Sequence, residues 1–416
     1  MVDNSCKDGA RSVSKMKKTE IGVIPEDWEV LDIQELINKN AIIGHLDGNH
    51  GALYPKSHEF VEDGIPYVGA NALINGKIDF NKVKYLTKER ANTFQKGISY
   101  PKDLLFAHNA TVGPVAYVQS SIDKLILSTT LTYFRSDESK LKSKYLLYEF
   151  QTERFVKQYS SVMSQSTRNQ VPITAQRKFN IVLPPLAEQE AIATALSDAD
   201  AWIEHLEQLI AKKRLIKQGA MQELLTPQDD WEVKKLGDYV KFQTGFPFSS
   251  EFFNTKLIGE RLIKNRDLRS DDSIFYYSGE FKKDFIVNNG DLLIGMDGDF
   301  EPVLWKKGRA LLNQRVGRIL KLKDISITYL AYSLIDKLKE IEESTGSTTV
   351  KHLSHSDIEN LEYKIPSLFE QERIATILSD MDAELEALEQ QLDKARQIKQ
   401  GMMQELLTGR TRLVAI

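Results

Sequence analysis

A chain of 416 residues, 41% apolar and 27% charged, is long enough for several domains and too ordinary in balance to be disordered or fibrous. No apolar run approaches the roughly 18 residues of a membrane helix, and no apolar stretch accompanies the basic residues of Met1 to Lys18, so neither a membrane span nor a signal peptide is expected. The single cysteine, Cys6, can form no internal disulfide, which suits a reducing cytoplasm, and a net charge of −4 excludes a uniformly basic nucleic-acid binder.

In chain order, a polar tail over 1–18 leads into a first globule over 19–183. It opens on Pro25-Glu26-Asp27-Trp28-Glu29-Val30. Apolar runs bounded by turn residues predict strands at Ile65-Pro66-Tyr67-Val68, Leu104-Leu105-Phe106-Ala107, Val115-Ala116-Tyr117-Val118 and Leu125-Ile126-Leu127. An amphipathic helix opens at Tyr145-Leu146-Leu147-Tyr148-Glu149-Phe150. Two polar loops stand out: His108-Asn109-Ala110-Thr111 after the Asp103-Leu104-Leu105 strand, and 164–170, which holds Arg168, Asn169 and Gln170.

Residues 184–226 predict a long helix. Pro184 precedes an acidic first turn, Glu188 and Glu190, which suits a helix N-terminus. Ile192, Leu196, Ala199, Ile203, Leu206 and Ile210 then step by four and three, the spacing of a coiled-coil seam. A helix of about 37 residues spans roughly 55 Å, too long to be buried inside one small domain.

A second globule is expected over 227–365, and it repeats the layout of the first. Trp231-Glu232-Val233 matches the opening motif, and strands are predicted at Leu262-Ile263, Leu292-Leu293-Ile294 and Gly317-Arg318-Ile319-Leu320. A helix opens at Tyr329-Leu330-Ala331-Tyr332. Polar loops follow Asp291-Leu292-Leu293, with Asp297 and Asp299, and precede the next long segment, with Lys351 and His352; Asn313, Gln314 and Arg315 add a third cluster.

Residues 366–409 repeat the helix, and a tail over 410–416 closes the chain. Residues 184–226 recur as 366–408 without a gap, at about two thirds identity. The second seam is Ile374, Leu378, Met381, Leu385, Leu388 and Leu392. The most economical partner for one seam is the other, packed antiparallel about a pseudo-two-fold axis. Gly219 and Gly401 share one repeat position inside the helices, which suggests a close backbone approach. The repeated segments are acidic and the remainder mildly basic, so the helices suit a protein partner and the globules suit DNA.

The polar loops carry the residue types that read bases and phosphates: His108, Asn109, Thr111, Arg168, Asn169 and Gln170 in the first globule, and Asp297, Asp299, Asn313, Gln314, Arg315, Lys351 and His352 in the second. Their weight comes from recurring at equivalent places.

Reaction chemistry is not evident. Gly76-Lys77 precedes Ile78 and lacks the upstream glycine of a P-loop. Leu183-Pro184-Pro185-Leu186 lacks the polar and aromatic ends of an amino-methyltransferase motif. Asp123 with Glu138-Ser139-Lys140 only mimics a nuclease carboxylate–lysine pattern. His352 and His355 lack a third ligand, and His45, His50 and His58 are read as part of a loop rich in Gly, Asp and Asn; neither group makes a metal site.

The doubled PxLxEQ start, the doubled IAxxLSDxD…KQGxMQELLT helix and the two tryptophan motifs together resemble the specificity subunit of type I restriction-modification systems, over roughly residues 19–409. The resemblance implies an α+β chain: two mixed α/β target recognition domains, each followed by a conserved helix, the two helices forming an antiparallel coiled coil with pseudo-two-fold symmetry. It implies double-stranded DNA, two modification (methyltransferase) subunits and restriction/translocase subunits as partners. S-adenosylmethionine, ATP and magnesium then belong to those partners, and this chain is a non-catalytic reader of a split target. Two other readings stay open: a nuclease built on Glu138 and Lys140, and a coiled-coil scaffold.

Overall fold

The computed structural model describes residues 15–48, 54–165, 169–298, 300–344 and 351–414. Cys6, His50, Arg168 and Asp299 lie outside them. The chain divides into two compact units, Met1–His205 with Leu392–Ile416, and Leu206–Gln391. Each unit therefore combines one globule with parts of both long helices, Leu186–Leu224 and Leu368–Leu406.

In unit 1, a four-stranded antiparallel sheet runs in the order Val115–Tyr117, Leu104–Ala107, Leu131–Ser136, Ile42–Asp47. A five-stranded sheet runs Ile98–Ser99, Leu125–Leu127, Ile65–Val68, Lys84–Leu86, Phe60–Val61, with a parallel pair at its centre between Leu125–Leu127 and Ile65–Val68. The strand Glu29–Asp32, just past Trp28, pairs with Asn180–Leu183, which leads into the first long helix.

Continuously apolar strands such as Leu104–Ala107 are buried on both faces, which is why they carry no alternation. Phe106, Phe134, Phe150 and Phe155 are fully or almost fully buried; Phe150 and Phe155 stack at 4.0 Å and Phe106 meets Phe150 edge-on at 6.0 Å. Burying one such ring is worth about 1.5–3 kcal/mol. Ile192 and Leu196 of the first long helix join this core, as do Leu406 and Leu407 at the end of the second.

Unit 2 repeats the plan. Its four-stranded sheet runs Val240–Thr244, Val316–Lys321, Leu292–Gly295, Pro302–Leu304, and its five-stranded sheet contains the parallel pair Glu260–Ile263 and Ala310–Leu312. Glu232–Lys235, just past Trp231, pairs with Glu362–Ile365. Phe242, Leu292, Ile294, Tyr329 and Leu330 form the core with Ile374 and Leu378 of the second long helix, and Met221 and Leu224 of the first pack against it.

The glutamine of the repeated EQ pair explains how each long helix is fastened to its globule. Gln189 is buried; its Nε2 donates to the Pro184 carbonyl at 2.9 Å and its Oε1 accepts the Lys142 N–H at 2.9 Å. Gln371 does the same, donating to Pro366 at 3.0 Å and accepting from Ser326 N–H at 2.9 Å. One side chain thus satisfies two backbone groups where strand becomes helix.

A second repeated junction lies about three turns further along each helix. In unit 1, Asp200 accepts the Tyr148 hydroxyl at 2.8 Å and pairs with Lys399 at 2.5 Å. In unit 2, Asp382 accepts the Tyr332 hydroxyl at 2.7 Å and pairs with Lys217. Seam residues Ile192 and Leu196 are buried in unit 1, and Leu206, Ile210, Leu378 and Leu385 in unit 2.

One expectation is corrected. A Cβ at Gly219 or Gly401 would meet nothing within 4 Å, so these glycines mark no close approach. In the closing tail, Arg412 engages Asp27 at 2.8 and 3.0 Å and also the buried Glu188, whose Oε2 takes the Trp28 Nε1–H at 2.9 Å. Among the described residues no helix is long and apolar enough to cross a membrane.

Candidate nucleic-acid interface

In unit 1 the parallel pair brings the ends of Ile65–Val68 and Leu125–Leu127 to one edge, where Ser128 N–H donates to the Val68 carbonyl at 2.9 Å. The neighbouring sheet delivers three more loop ends there. Gly48 N–H donates to Leu131 at 2.9 Å, His108 N–H to Thr130 at 3.0 Å, and Val171 N–H to His108 at 2.8 Å. The loop after Leu104–Ala107 and the loop before the long helix then pair through an antiparallel bridge between Asn109 and Gln170.

Unit 2 builds the same edge from different side chains. Asn313 N–H donates to Ile263, Gly245 N–H to Val316 at 3.0 Å, Met296 N–H to Arg315 at 3.0 Å, and Leu353 N–H to Met296 at 2.9 Å. The corresponding bridge joins Asp297 and His352. Two loops far apart in sequence are thus clamped together in both units. At the crossing beneath them sit Gly48 and Gly245, where any Cβ would run into the Ser128 or Asn313 carbonyl.

The predicted side chains fall into three groups. Thr111, Asn169, Gln314, Arg315 and His352 are exposed, and Asn109, Gln170, Asp297 and Lys351 are partly exposed. His108 and Asn313 are corrected: both are buried, because each is the first residue after its strand and remains inside the backbone ladder. Arg168 and Asp299 lie outside the described residues. Lys351 is not a loose cation, since its Nζ lies 3.2 Å from Glu342 Oε1. Asp297 joins His352 Nδ1 at 2.9 Å to Arg315 Nη1 at 3.0 Å.

His45 also corrects the reading of its stretch as a loop. It lies in the strand Ile42–Asp47, stacked on Phe134 at 4.4 Å, with Nε2 3.2 Å from Gln176 Oε1. Burial pushes its imidazole down to about 4. Gln176 Nε2 in turn donates to Val171 O at 2.9 Å and Thr132 Oγ1 at 3.1 Å, so this network underpins the loop that carries Gln170.

Several residues at the edge escaped sequence reasoning. Ser128 and Thr130 occupy the places of Asn313 and Arg315, and their hydroxyls lie 2.6 Å apart. Aligning the two globules at the strand before Leu131 and Val316 would have found them. Asn265 Nδ2 donates to the Asp297 carbonyl at 2.6 Å, and Phe246 is bridged to Asn313. The result in each unit is a ridge of amide, hydroxyl and, in unit 2, guanidinium and imidazole groups on a rigid sheet edge. Such groups suit hydrogen bonding to base edges and phosphates. Among the described residues no group of three or more His, Cys, Asp or Glu is placed to share a metal ion.

A doubled fold with one polar ridge per unit defines a recognition protein built from two like units. The family model for the type I restriction modification DNA specificity domain matches twice, over residues 25–213 and 228–397, and the chain belongs to this family. It is 26% identical over 426 residues to a putative type I restriction enzyme MjaX specificity subunit from Methanocaldococcus jannaschii, covering 95% of this chain and 96% of the relative. It is 34% identical over 203 residues to the type I restriction enzyme EcoBI specificity subunit of Escherichia coli, covering 48% of this chain and 43% of that protein. Its fold is similar to the crystal structure of the type I restriction-modification S subunit from M. genitalium, with a TM-score of 0.60, 14% identity, and 91% and 96% of the two chains covered.

Proposed function

We propose that each unit reads one half of a split, asymmetric DNA target, and that the two long helices set the spacer between the half-sites and dock the modification subunits. The observation that carries this reading is the recurrence of the clamped loop pair, Asn109–Gln170 and Asp297–His352, on equivalent sheet edges with different side chains. A constant frame bearing two dissimilar polar ridges is what an asymmetric target requires. The helices are read as an antiparallel pair related by a pseudo-two-fold axis. Support comes from the repeated junctions Tyr148–Asp200–Lys399 and Tyr332–Asp382–Lys217, each within its own unit.

On this reading the chain is a non-catalytic subunit. Two methyltransferase subunits supply S-adenosylmethionine chemistry, and restriction/translocase subunits use ATP and magnesium. The nuclease alternative loses ground locally: Glu138 Oε1 accepts the Ser143 N–H at 3.1 Å and Lys140 Nζ reaches the Lys39 carbonyl at 3.2 Å, so both serve local backbone.

The test is methylome sequencing of cells carrying the whole system, with residues 25–183 exchanged for the first globule of another family member. One half of the methylated motif should change and the other half should stay. If both halves change, the modular reading fails. DNA cleavage by the purified chain with magnesium would restore the nuclease reading, and a complex without sequence preference would leave the scaffold.

A further inference from the structure

In unit 2 the Asp297 carboxylate grips two side chains from two other loops. Arg315 Nη1 lies 3.1 Å from Oδ1 and 3.0 Å from Oδ2, and His352 Nδ1 lies 2.9 Å from Oδ1. The Arg315 side chain nevertheless keeps 57% of its surface exposed. Asp297 takes only Nη1, so among the described residues Nη2 and Nε keep their N–H groups available to another acceptor. The main chain beneath is fixed, because the Arg315 carbonyl accepts the Met296 N–H at 3.0 Å. A guanidinium held this way loses less freedom on binding than a free one.

Among the described residues, unit 1 has no such feature at the same place. Thr130 occupies the position of Arg315, Asn109 that of Asp297, and Gln170 that of His352. The charged trio is therefore specific to one ridge, not a part of the common frame.

We propose that Arg315 reads a guanine in the half-site bound by unit 2, donating to O6 and N7, and that Asp297 is the positioning residue that aims it. The inference rests on the reading of this chain as a DNA specificity subunit. Guanine alone presents two adjacent acceptors on its major-groove edge, matching two parallel N–H donors. Adenine sets a donor beside its N7, thymine sets a methyl beside O4, and cytosine offers a donor, so each leaves at least one guanidinium N–H unmatched.

The test uses the complex assembled with its modification subunits, bound to its own methylation target. Each guanine is replaced in turn by 7-deazaguanine, which swaps N7 for C–H. With the unaltered chain, one guanine, in one half-site only, should weaken binding on the order of tenfold when replaced. Arg315→Met keeps an unbranched side chain and removes every donor; it should lose the preference for guanine there and become insensitive to the 7-deaza replacement at that position. Asp297→Asn should weaken discrimination at that same position while Arg315 is present. In the Arg315→Met background it should change discrimination no further, whereas a merely structural carboxylate would lower affinity for every sequence in both backgrounds. A complex that binds its target specifically, but shows no guanine whose 7-deaza effect depends on Arg315, overturns the guanine assignment. A complex with no sequence preference overturns the underlying reading instead.

Discussion

Lys142 N–H and Gln189 Oε1 meet at 2.9 Å, tying the segment before a globule's last helices to the first turn of the long helix. The same glutamine also caps the Pro184 carbonyl, so one side chain holds two backbone groups out of water. Gln189→Ala would orphan a partly buried donor and a buried acceptor, the buried one costing roughly 1–3 kcal/mol. Gln371→Ala should cost a similar amount in unit 2, since Gln371 makes the same two bonds. Urea unfolding monitored by tryptophan fluorescence checks this; variants as stable as the parent would mean that the glutamine is not the fastener.

His45 predicts a pH dependence. Its imidazole falls from the ordinary 6.5 to about 4 on folding because burial disfavours the charged ring. The unfolded chain therefore binds the extra proton first as pH falls. The stability held by neutral His45 is complete above pH 6.5 and is lost progressively down to about pH 4, in total about 3 kcal/mol. In His45→Gln this component vanishes, so unfolding free energy should decline less steeply between pH 6.5 and 4 than in the parent. Parallel curves over that interval would contradict it.

Removing charge should separate affinity from specificity. Lys351→Ala removes a cation at the ridge and also releases the Glu342 carboxylate, now 3.2 Å from its ammonium. Both changes repel phosphate, so binding to all DNA should weaken and the salt slope should fall by about one unit. Asn109→Ala should instead relax a single base position, at about 1–3 kcal/mol, and leave the salt slope alone. Fluorescence anisotropy over a salt series, on target and scrambled DNA, distinguishes the two; an unchanged salt slope for Lys351→Ala removes it from the footprint.

The long helices should act as a ruler. A four-residue helical insertion after Gln208 adds about one turn, which roughly restores the seam and adds about 6 Å. At about 3.4 Å per base pair this corresponds to one or two base pairs of unspecified spacer. The half-sites themselves should not change. The same insertion at Pro227-Gln228, beyond the end of the helix at Leu224, should leave the spacer alone. Methylation of a library with randomised spacer lengths reads the outcome, and a fixed spacer in an active complex would assign the distance to something other than the helices.

Much of the frame was legible because it rests on local periodicity. The apolar steps from Ile192 to Ile210 are a property of consecutive residues, and runs such as Leu104–Ala107 mark buried strands in the same way. The ridges were legible only in composition. That Asn109 faces Gln170, or Asp297 faces His352, depends on sheet order and on contacts between loops more than fifty residues apart, which no local pattern encodes. His45 was misread for the complementary reason. Its neighbours Gly44 and Asp47 suggest a loop, yet pairing with Leu131–Ser136 draws all of Ile42–Asp47 into the sheet. The contacts of Arg412 were not legible because its partners, Asp27 and Glu188, lie 385 and 224 residues away in the chain.

The glycine crossings at Gly48 and Gly245 bear on how new specificities could be engineered. Each lets two backbones touch directly beneath a ridge, and at neither is there room for a side chain. Randomising the ridge therefore divides cleanly into mutable and immutable positions. Asn109, Thr111, Asn169 and Gln170 in one unit, and Gln314, Arg315 and His352 in the other, can vary while the support stays whole. A library that also varied the glycines would spend most of its members on chains whose ridges never assemble, so the diversity worth sampling is set by the surface and bounded by two positions that carry no side chain at all.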